Sequence, residues 1–180
     1  MHRSIRFAAA GIALSLVLGL GACNQDSVAR GRYMVEAMGC ADCHTPHRMG
    51  PTGPEPDPTR HLSGHPAGLA LPAAPAGDGP WLVGAAATNT AWSGPWGVSF
   101  CSNLTPDTET GLGTWTEAEF VAAMREGRHR GTGRPLLPPM PAAAIGRLSD
   151  EDLGAIFAYL RSLEPIRNRV PEPSPPLARR

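Results

Sequence analysis

Two cysteines and a histidine form the group of side chains best suited to chemistry in this sequence. Cys40 and Cys43 are separated by two residues, and His44 follows directly. On a helix, this spacing places the two thiols one turn apart with an imidazole beside them. Three kinds of site use such a group: a thiol–disulfide redox pair, a zinc site, and the attachment point of a covalently bound haem.

The surrounding sequence favours haem attachment over the other two sites. A thioredoxin-like redox pair would be preceded by a strand within a βαβ pattern, which the sequence lacks. A zinc site would need a second pair of ligands with knuckle-like spacing, and there is no second pair of neighbouring cysteines. Thiols one turn apart can add to the two vinyl groups of one porphyrin. We therefore predict one covalently bound haem c, held by Cys40 and Cys43, with His44 ligating the iron.

Met140 is the predicted sixth ligand of the iron. A low-spin electron carrier needs a second axial ligand, and Met or His is the usual choice. Met140 lies 96 residues after His44, and its flanking prolines stiffen the backbone that presents the thioether. With both axial positions filled, the protein would be an electron carrier and not an enzyme. Two alternatives stay open: five-coordinate iron, which would indicate a haem sensor or peroxidase-like enzyme, and a histidine in place of Met140. The histidines available are His47, His61, His65 and His129.

Helices must position these residues, and the first one leads directly into the attachment site. Asp26 or Ser27 is predicted to cap it, and Gly39 to end it. Residues 45–114 contain 11 Pro and 11 Gly and show no sustained period of either 3.6 or 2 residues. We therefore predict a long loop region that a bound prosthetic group would order by supplying apolar surface, so the apo-protein should be largely unfolded.

Two further helices are predicted after the loop region. Thr116 and Glu119 form a capping-box pattern ahead of an apolar stripe. The final helix is predicted to begin after Ser149 as its N-cap and to end before Pro165. The Pro-rich and Arg-rich residues 165–180 predict an extended tail that wraps around the domain or hangs free.

The N-terminal residues predict export and a lipid anchor. Arg3 and Arg6 precede an apolar run of 14 residues, which is typical of a secretory signal and short for a membrane span. The run Leu-Gly-Ala-Cys that ends at Cys23 resembles the bacterial lipobox, in which the cysteine is lipidated and becomes the new N-terminus. We therefore predict a lipoprotein signal peptide over residues 1–22 and a tether over residues 23–26. The alternative is an ordinary signal peptide that leaves Cys23 as a free thiol.

The predicted mature chain is one domain on the periplasmic or cell-surface face of a bacterial membrane. The 180 residues, of which 42% are hydrophobic, suffice for a single modest core. Without Arg3 and Arg6 the chain has 14 basic and 16 acidic residues, so no basic patch for nucleic acid is expected. The residue after the predicted anchor is Asn24 and not Asp. This favours sorting of the lipoprotein to the outer membrane if the organism is Gram-negative.

Several motifs resemble those of class I cytochrome c. That family has a helix before the Cys-x-x-Cys-His motif, a Pro-rich methionine loop, and a final helix that here reads Ile156-Phe157-Ala158-Tyr159-Leu160. The resemblance covers residues 27–164. More narrowly, the segments 103–107 (Asn-Leu-Thr-Pro-Asp) and 134–141 (Arg-Pro-Leu-Leu-Pro-Pro-Met-Pro) are similar to the cytochrome c subunits and domains that accompany membrane-bound dehydrogenases.

The resemblance implies an all-α cytochrome c fold of about four short helices around one covalent haem, with long Pro/Gly-rich loops. It also implies that the first and last helices cross near Gly31, against Ile156 and Tyr159. The implied electron donor is a dehydrogenase or quinol-oxidising complex, and the implied acceptor is a terminal oxidase or another cytochrome.

Three further residues have candidate roles. In some class I cytochromes c a Trp donates a hydrogen bond to a haem propionate, and the resemblance implies this role for Trp115. The alternative is that Trp115 only packs against the helix that follows it. Arg134 is a candidate ion-pair partner for a propionate, with a solvated loop charge as the alternative. Cys101 is the one cysteine without an assigned role, and it is predicted to be buried and inert or to form an intermolecular disulfide.

Overall fold

The described part of the chain comprises residues 25–73 and 83–176 of a computed structural model. It contains five α-helices, two small antiparallel sheets and two 3₁₀ helices, Pro58–Arg60 and His129–Gly131. The predicted signal peptide and Cys23 lie outside these residues. The helices are α1 (residues 25–37), α2 (Cys40–His44), α3 (Glu117–Glu126), α4 (Ala142–Ile145) and α5 (Asp150–Ser162). The strands are β1 (His47–Gly50), β2 (Gly53–Pro56), β3 (Gly84–Ala85), β4 (Ala91–Gly94) and β5 (Gly97–Phe100).

The two sheets contradict the all-α prediction. Strands β1 and β2 form an antiparallel hairpin, and β3, β4 and β5 form an antiparallel sheet in that order. Both sheets fall within residues 45–114, which were predicted to be a long loop region. Each strand has only two to four residues. An alternation of polar and apolar residues needs a longer run than this to be recognised in a sequence.

The first helix begins earlier than predicted. Residues 25–37 are helical, so Asp26 and Ser27 lie inside α1 and do not cap it. Residues 25 and 26 of the predicted tether are part of this helix, and residues 23 and 24 lie outside the described residues. Gly39 ends the helical region as predicted, because it adopts a left-handed conformation with φ of 68° that glycine tolerates without strain. The turn leads directly into α2, which carries the attachment motif.

The caps of the two later helices are confirmed. The side chain of Thr116 accepts a hydrogen bond from the Glu119 N–H, and the Glu119 carboxylate accepts one from the Thr116 N–H, which completes the predicted capping box. Ser149 accepts a hydrogen bond from the Asp152 N–H at the start of α5. Both caps depend on residues within three positions of each other, so the local sequence is enough to predict them.

The hydrophobic core lies where α1, α3 and α5 meet. Gly31 of α1 lies at the crossing with α5, as expected, and its nearest neighbours there are the Ala155 carbonyl group and the Cβ of Tyr159, of which only Tyr159 was expected. The rings of Phe120 in α3 and Phe157 in α5 are 5.4 Å apart between their centroids. A small residue at the crossing allows the two backbones to approach closely. The buried members of the core include Val35, Leu112, Ala123, Met124, Leu153, Ile156 and Leu160.

The described part of the predicted tail, residues 165–176, is extended and packs against the rest of the domain. Val98 in β5 and Ser174 exchange two backbone hydrogen bonds of 2.9 Å each. Asn168 is only 4% exposed, and its side-chain amide donates to the carbonyl groups of Ser63 and His65. These residues therefore extend the folded unit beyond the predicted domain boundary at residue 164.

Substituting Gly31 by Ala is expected to destabilise the protein by about 1–3 kcal/mol, the usual cost of overpacking. The reason is that a Cβ at this position would overlap the carbonyl oxygen of Ala155 and lie 2.9 Å from the Cβ of Tyr159. Denaturant unfolding of the haem-loaded protein measures the effect. Gly68→Ala is the control, since a Cβ there has no atom within 4 Å. Equal stability of the two variants would contradict the close helix crossing.

Candidate haem site

A cavity of about 1010 Å³ contains the predicted ligands in its walls. Cys40, Cys43 and His44 border it from α2, and Met140 borders it from the segment 134–141, here called the methionine loop. Most of the remaining lining is apolar, and several core residues contribute to it. They include Val35, Leu104, Leu112, Phe120, Met124 and Leu160. The cavity therefore reaches into the core, and its lining also includes polar side chains such as Asn103, Glu109 and Arg130.

His44 is held in the form that can bind a metal. Its side chain is buried, and its Nδ1 atom lies 2.8 Å from the backbone carbonyl oxygen of Ser102. A carbonyl oxygen only accepts hydrogen bonds, so Nδ1 must carry a proton and donate it. Burial lowers the pKa of His44, and the hydrogen bond to Ser102 opposes this effect only in part. The ring is therefore neutral near pH 7, and the lone pair on Nε2 is free for a metal ion.

Cys43 has a neighbour that was not predicted from the sequence. The thiol of Cys101 donates a hydrogen bond to Cys43, which lowers the pKa of Cys43 to about 7 and raises the pKa of Cys101. Burial raises the pKa of Cys40. These shifts give Cys43 the larger thiolate fraction of the two attachment cysteines at neutral pH. Cys101 is half-buried in the cavity wall, and its distance of 58 residues from Cys43 explains why no local pattern could place it there.

Met140 is half-buried at the cavity, in a loop that other elements hold in place. The N–H of Leu136 donates to the carbonyl of Gly127 at the end of α3, over 2.8 Å. The hydroxyl of Ser99 in β5 donates to the carbonyl of Pro138, over 2.6 Å. The loop therefore has contacts with two separate parts of the fold.

The alternative histidine ligands differ in their positions. His129 borders the cavity and packs edge-on against the ring of Trp115, with 4.9 Å between centroids. His65 is fully buried outside the lining, with its Nδ1 atom 2.9 Å from the Thr90 hydroxyl. His47 and His61 also lie outside the lining. Of the four histidines considered, only His129 competes with Met140 for the cavity.

The predicted propionate partners Trp115 and Arg134 both border the cavity, together with a second arginine. Arg134 is exposed, and its Nε atom is 3.4 Å from a carboxylate oxygen of Glu172. Arg130 was not predicted from the sequence: its guanidinium carbon lies 4.9 Å from the centroid of the Trp115 ring, and it forms an ion pair with Glu119 at 2.8 Å. The cavity border thus carries arginine and aromatic side chains that could bind a carboxylate, although each of these two arginines is paired with a glutamate.

The residues present fit a haem c group. The donor set comprises two thiols one turn apart, an imidazole with a free Nε2 and a thioether, all on one mostly apolar cavity. The volume lies at the upper end of the range of about 300–1,000 Å³ for small-molecule sites. Within residues 25–73 and 83–176, no three His, Cys, Asp or Glu side chains cluster as a zinc site requires.

Known proteins with similar sequences include subunits of dehydrogenases. A subunit of the nicotinate dehydrogenase of Pseudomonas putida is 33% identical over 153 residues, which are 85% of this chain and 10% of that protein. The fructose dehydrogenase cytochrome subunit of Gluconobacter japonicus is 31% identical over 137 residues, 76% of this chain and 21% of that protein. The cytochrome c subunit of the quinone-dependent alcohol dehydrogenase of Gluconobacter oxydans is 36% identical over 89 residues, 48% of this chain and 18% of that protein.

This chain thus spans about a tenth to a fifth of the length of these relatives. The cytochrome c family model matches residues 28–164, which include the attachment motif on α2, the methionine loop and the α1–α5 crossing. Membership in this family implies covalently bound haem c, in agreement with the donor set around the cavity. The chain therefore belongs to the cytochrome c family.

Proposed function

We propose that this chain is a lipid-anchored monohaem cytochrome c that carries single electrons on the outer side of a bacterial membrane. The observation that carries the proposal is that Cys40, Cys43, His44 and Met140 all border one mostly apolar cavity. When bound there, haem c would supply an iron centre that alternates between ferric and ferrous. Cys40 and Cys43 would hold the group covalently, and His44 and Met140 would ligate the iron.

The protein side chains set the properties of such a centre. The Ser102 carbonyl accepts a hydrogen bond from the Nδ1–H group of His44. This bond orients the ring and makes its Nε2 more basic. A thioether ligand such as Met140 favours ferrous iron and raises the reduction potential. The apolar lining keeps water away and lowers the local dielectric constant. With His44 and Met140 as ligands, no coordination position is left for a substrate, so the proposed function is electron transfer and not catalysis.

The alternative of a five-coordinate haem sensor or peroxidase-like enzyme needs an open coordination position. Met140 borders the cavity in a loop held by hydrogen bonds to α3 and β5. A thioether on the cavity wall, in a loop held at two points, favours the electron carrier.

The proposed electron donor is a dehydrogenase or a quinol-oxidising complex, and the proposed acceptor is a terminal oxidase or another cytochrome. The support is that similar proteins are named as cytochrome subunits of fructose and quinone-dependent alcohol dehydrogenases. Electron transfer to such partners requires only that the edge of the bound group approaches the protein surface. It does not require a substrate pocket in this chain.

The proposed membrane attachment rests on the lipobox-like segment that ends at Cys23. The segment indicates lipidation because it combines small residues before the cysteine with an apolar run and two arginines. Among the described helices, none is both long and apolar enough to cross a bilayer. Acyl chains add about 0.8 kcal/mol per buried CH₂ group, so several chains would anchor the domain durably on the periplasmic or cell-surface face.

Protein made with a cytochrome c maturation system is expected to retain the mass of one haem after denaturation, because the thioether bonds are covalent. The double variant C40A/C43A should lose this mass completely. The matched control is Cys101→Ala, which removes the third described cysteine and should leave the mass in place. Intact-mass spectrometry measures all three proteins. Wild-type protein without the added mass would contradict the proposed function.

Met140→Ala is expected to abolish the weak far-red absorption band that marks sulfur-to-iron ligation in ferric cytochromes c. The same variant should bind carbon monoxide in the ferrous state, because a coordination position becomes available. Met49→Ala is the control, since Met49 is 77% exposed and lies outside the cavity lining. Persistence of the band in Met140→Ala would show that another side chain is the ligand.

Cys23→Ser is expected to move the protein from the membrane fraction to the soluble fraction of cells that export it. The reason is that serine cannot form the thioether with diacylglycerol. Cell fractionation followed by haem staining measures the distribution, with Cys101→Ala as the cysteine control. Membrane association that survives Cys23→Ser would contradict the lipid anchor and leave the electron-transfer proposal intact.

A further inference from the structure

We propose that Ser99 is a positioning residue for Met140: its hydroxyl holds the methionine loop so that the thioether stays directed to the iron. This inference rests on the proposed function, because it concerns the ligation of a bound haem. It assigns a role to a side chain that lies 41 residues before Met140, in a segment that the sequence predicts to be loop.

The contact between Ser99 and the loop is short, and the serine side chain that makes it is buried. Ser99 is 7% exposed, and its Oγ atom lies 2.6 Å from the carbonyl oxygen of Pro138. The same hydroxyl is 3.4 Å from the Trp92 carbonyl, and it accepts a hydrogen bond from Trp96 Nε1 over 3.3 Å. A hydroxyl has only one proton to donate, so the shorter contact to Pro138 is the one that receives it.

The composition of the loop explains why a hydroxyl donor is needed. Pro138, Pro139 and Pro141 have no backbone N–H, so this stretch can be held by backbone hydrogen bonds almost only through its carbonyl groups. The Leu136 N–H attaches the earlier part of the loop to α3. Ser99 attaches it again two residues before Met140, where the backbone direction determines where the thioether points.

The strand that carries Ser99 is a firm support. Strand β5 pairs with β4 on one edge, and Val98 exchanges two backbone hydrogen bonds with Ser174 on the other. Three residues beyond Ser99, the Ser102 carbonyl accepts a hydrogen bond from the Nδ1–H group of His44. One short segment, residues 99–102, thus contacts both elements that present axial ligands, and we infer that it maintains their relative position.

The test compares Ser99→Val with Ser99→Thr in the haem-loaded protein. These two side chains have nearly the same shape and differ in the hydroxyl group, so any packing effect of the extra methyl is shared. Imidazole added to the ferric protein competes with Met140 for the iron, and loss of the far-red band reports its binding. Ser99→Val is expected to bind imidazole about tenfold more tightly than wild type, the factor given by one hydrogen bond of ordinary net strength. Ser99→Thr should remain close to wild type.

Two further variants keep the test decisive. Ser93→Ala removes a hydroxyl from the neighbouring strand β4, where Ser93 pairs with Val98, and it should leave the imidazole affinity unchanged. If the bulkier variants do not fold, Ser99→Ala replaces Ser99→Val, with wild type as its hydroxyl-bearing partner. Both far-red absorption and reduction potential are recorded, since a merely structural role for Ser99 would change unfolding without changing either quantity.

Equal imidazole affinities in Ser99→Val and Ser99→Thr would overturn the inference, and so would an equal increase in Ser93→Ala, which would indicate general loosening of the sheet. In both cases the wild-type protein would still show the sulfur-to-iron band, and the proposed function would stand. Wild-type protein without that band would contradict ligation by Met140 itself, and the inference with it.

Discussion

The requirement to surround a cavity of about 1010 Å³ governs the rest of this structure. Most of the lining of this cavity is apolar, and apolar surface in contact with water is unfavourable. A bound group that covers this surface would therefore stabilise the fold. Core residues such as Val35, Phe120 and Leu160 also line the cavity. The same side chains therefore pack the helices together and form the surface that a ligand would contact. This dependence explains how a chain with 20 Pro and 21 Gly can form one folded unit.

Short-range patterns were enough to identify the attachment motif in the sequence and to predict the helix caps at Thr116 and Ser149. Each of them involves residues within about one helical turn, so the physical cause is contained in the local sequence. The strands were missed because pairs such as β4 and β5 have only four residues each and gain their stability from partners. For this reason the all-α part of the fold prediction was wrong, whereas the cytochrome c fold is supported by the family match.

At the candidate site, too, the local sequence identifies the ligands but not the side chains around them. Cys40, Cys43 and His44 are recognisable as a group, and Met140 is distinguished by its flanking prolines. The side chains that tune the site come from distant segments: Cys101 contacts Cys43, and Arg130 stacks on Trp115. Neither has a distinctive neighbour in the sequence. Their roles become visible only when tertiary structure brings them to the same cavity wall.

Glu119 links a helix terminus to this wall. Its carboxylate accepts the Thr116 N–H in the capping box and also pairs with Arg130 at 2.8 Å. Both partners lower the pKa of Glu119, led by the hydrogen bond from the Thr116 N–H. A single carboxylate thus stabilises the first turn of α3 and fixes the guanidinium that lies over Trp115. The ion pair between Glu119 and Arg130 thus connects the N-terminus of α3 to the border of the cavity.

The pairing of Ser174 with Val98 has a consequence for the limits of the folded unit. The family match ends at residue 164, ten residues before this pair. A fragment ending there would lose the buried amide of Asn168 and would leave one edge of β5 with unsatisfied backbone groups. Such edges recruit strands from other molecules. The extended segment that contains Ser174 therefore covers this edge of β5 at Val98 and satisfies its backbone groups within the same chain.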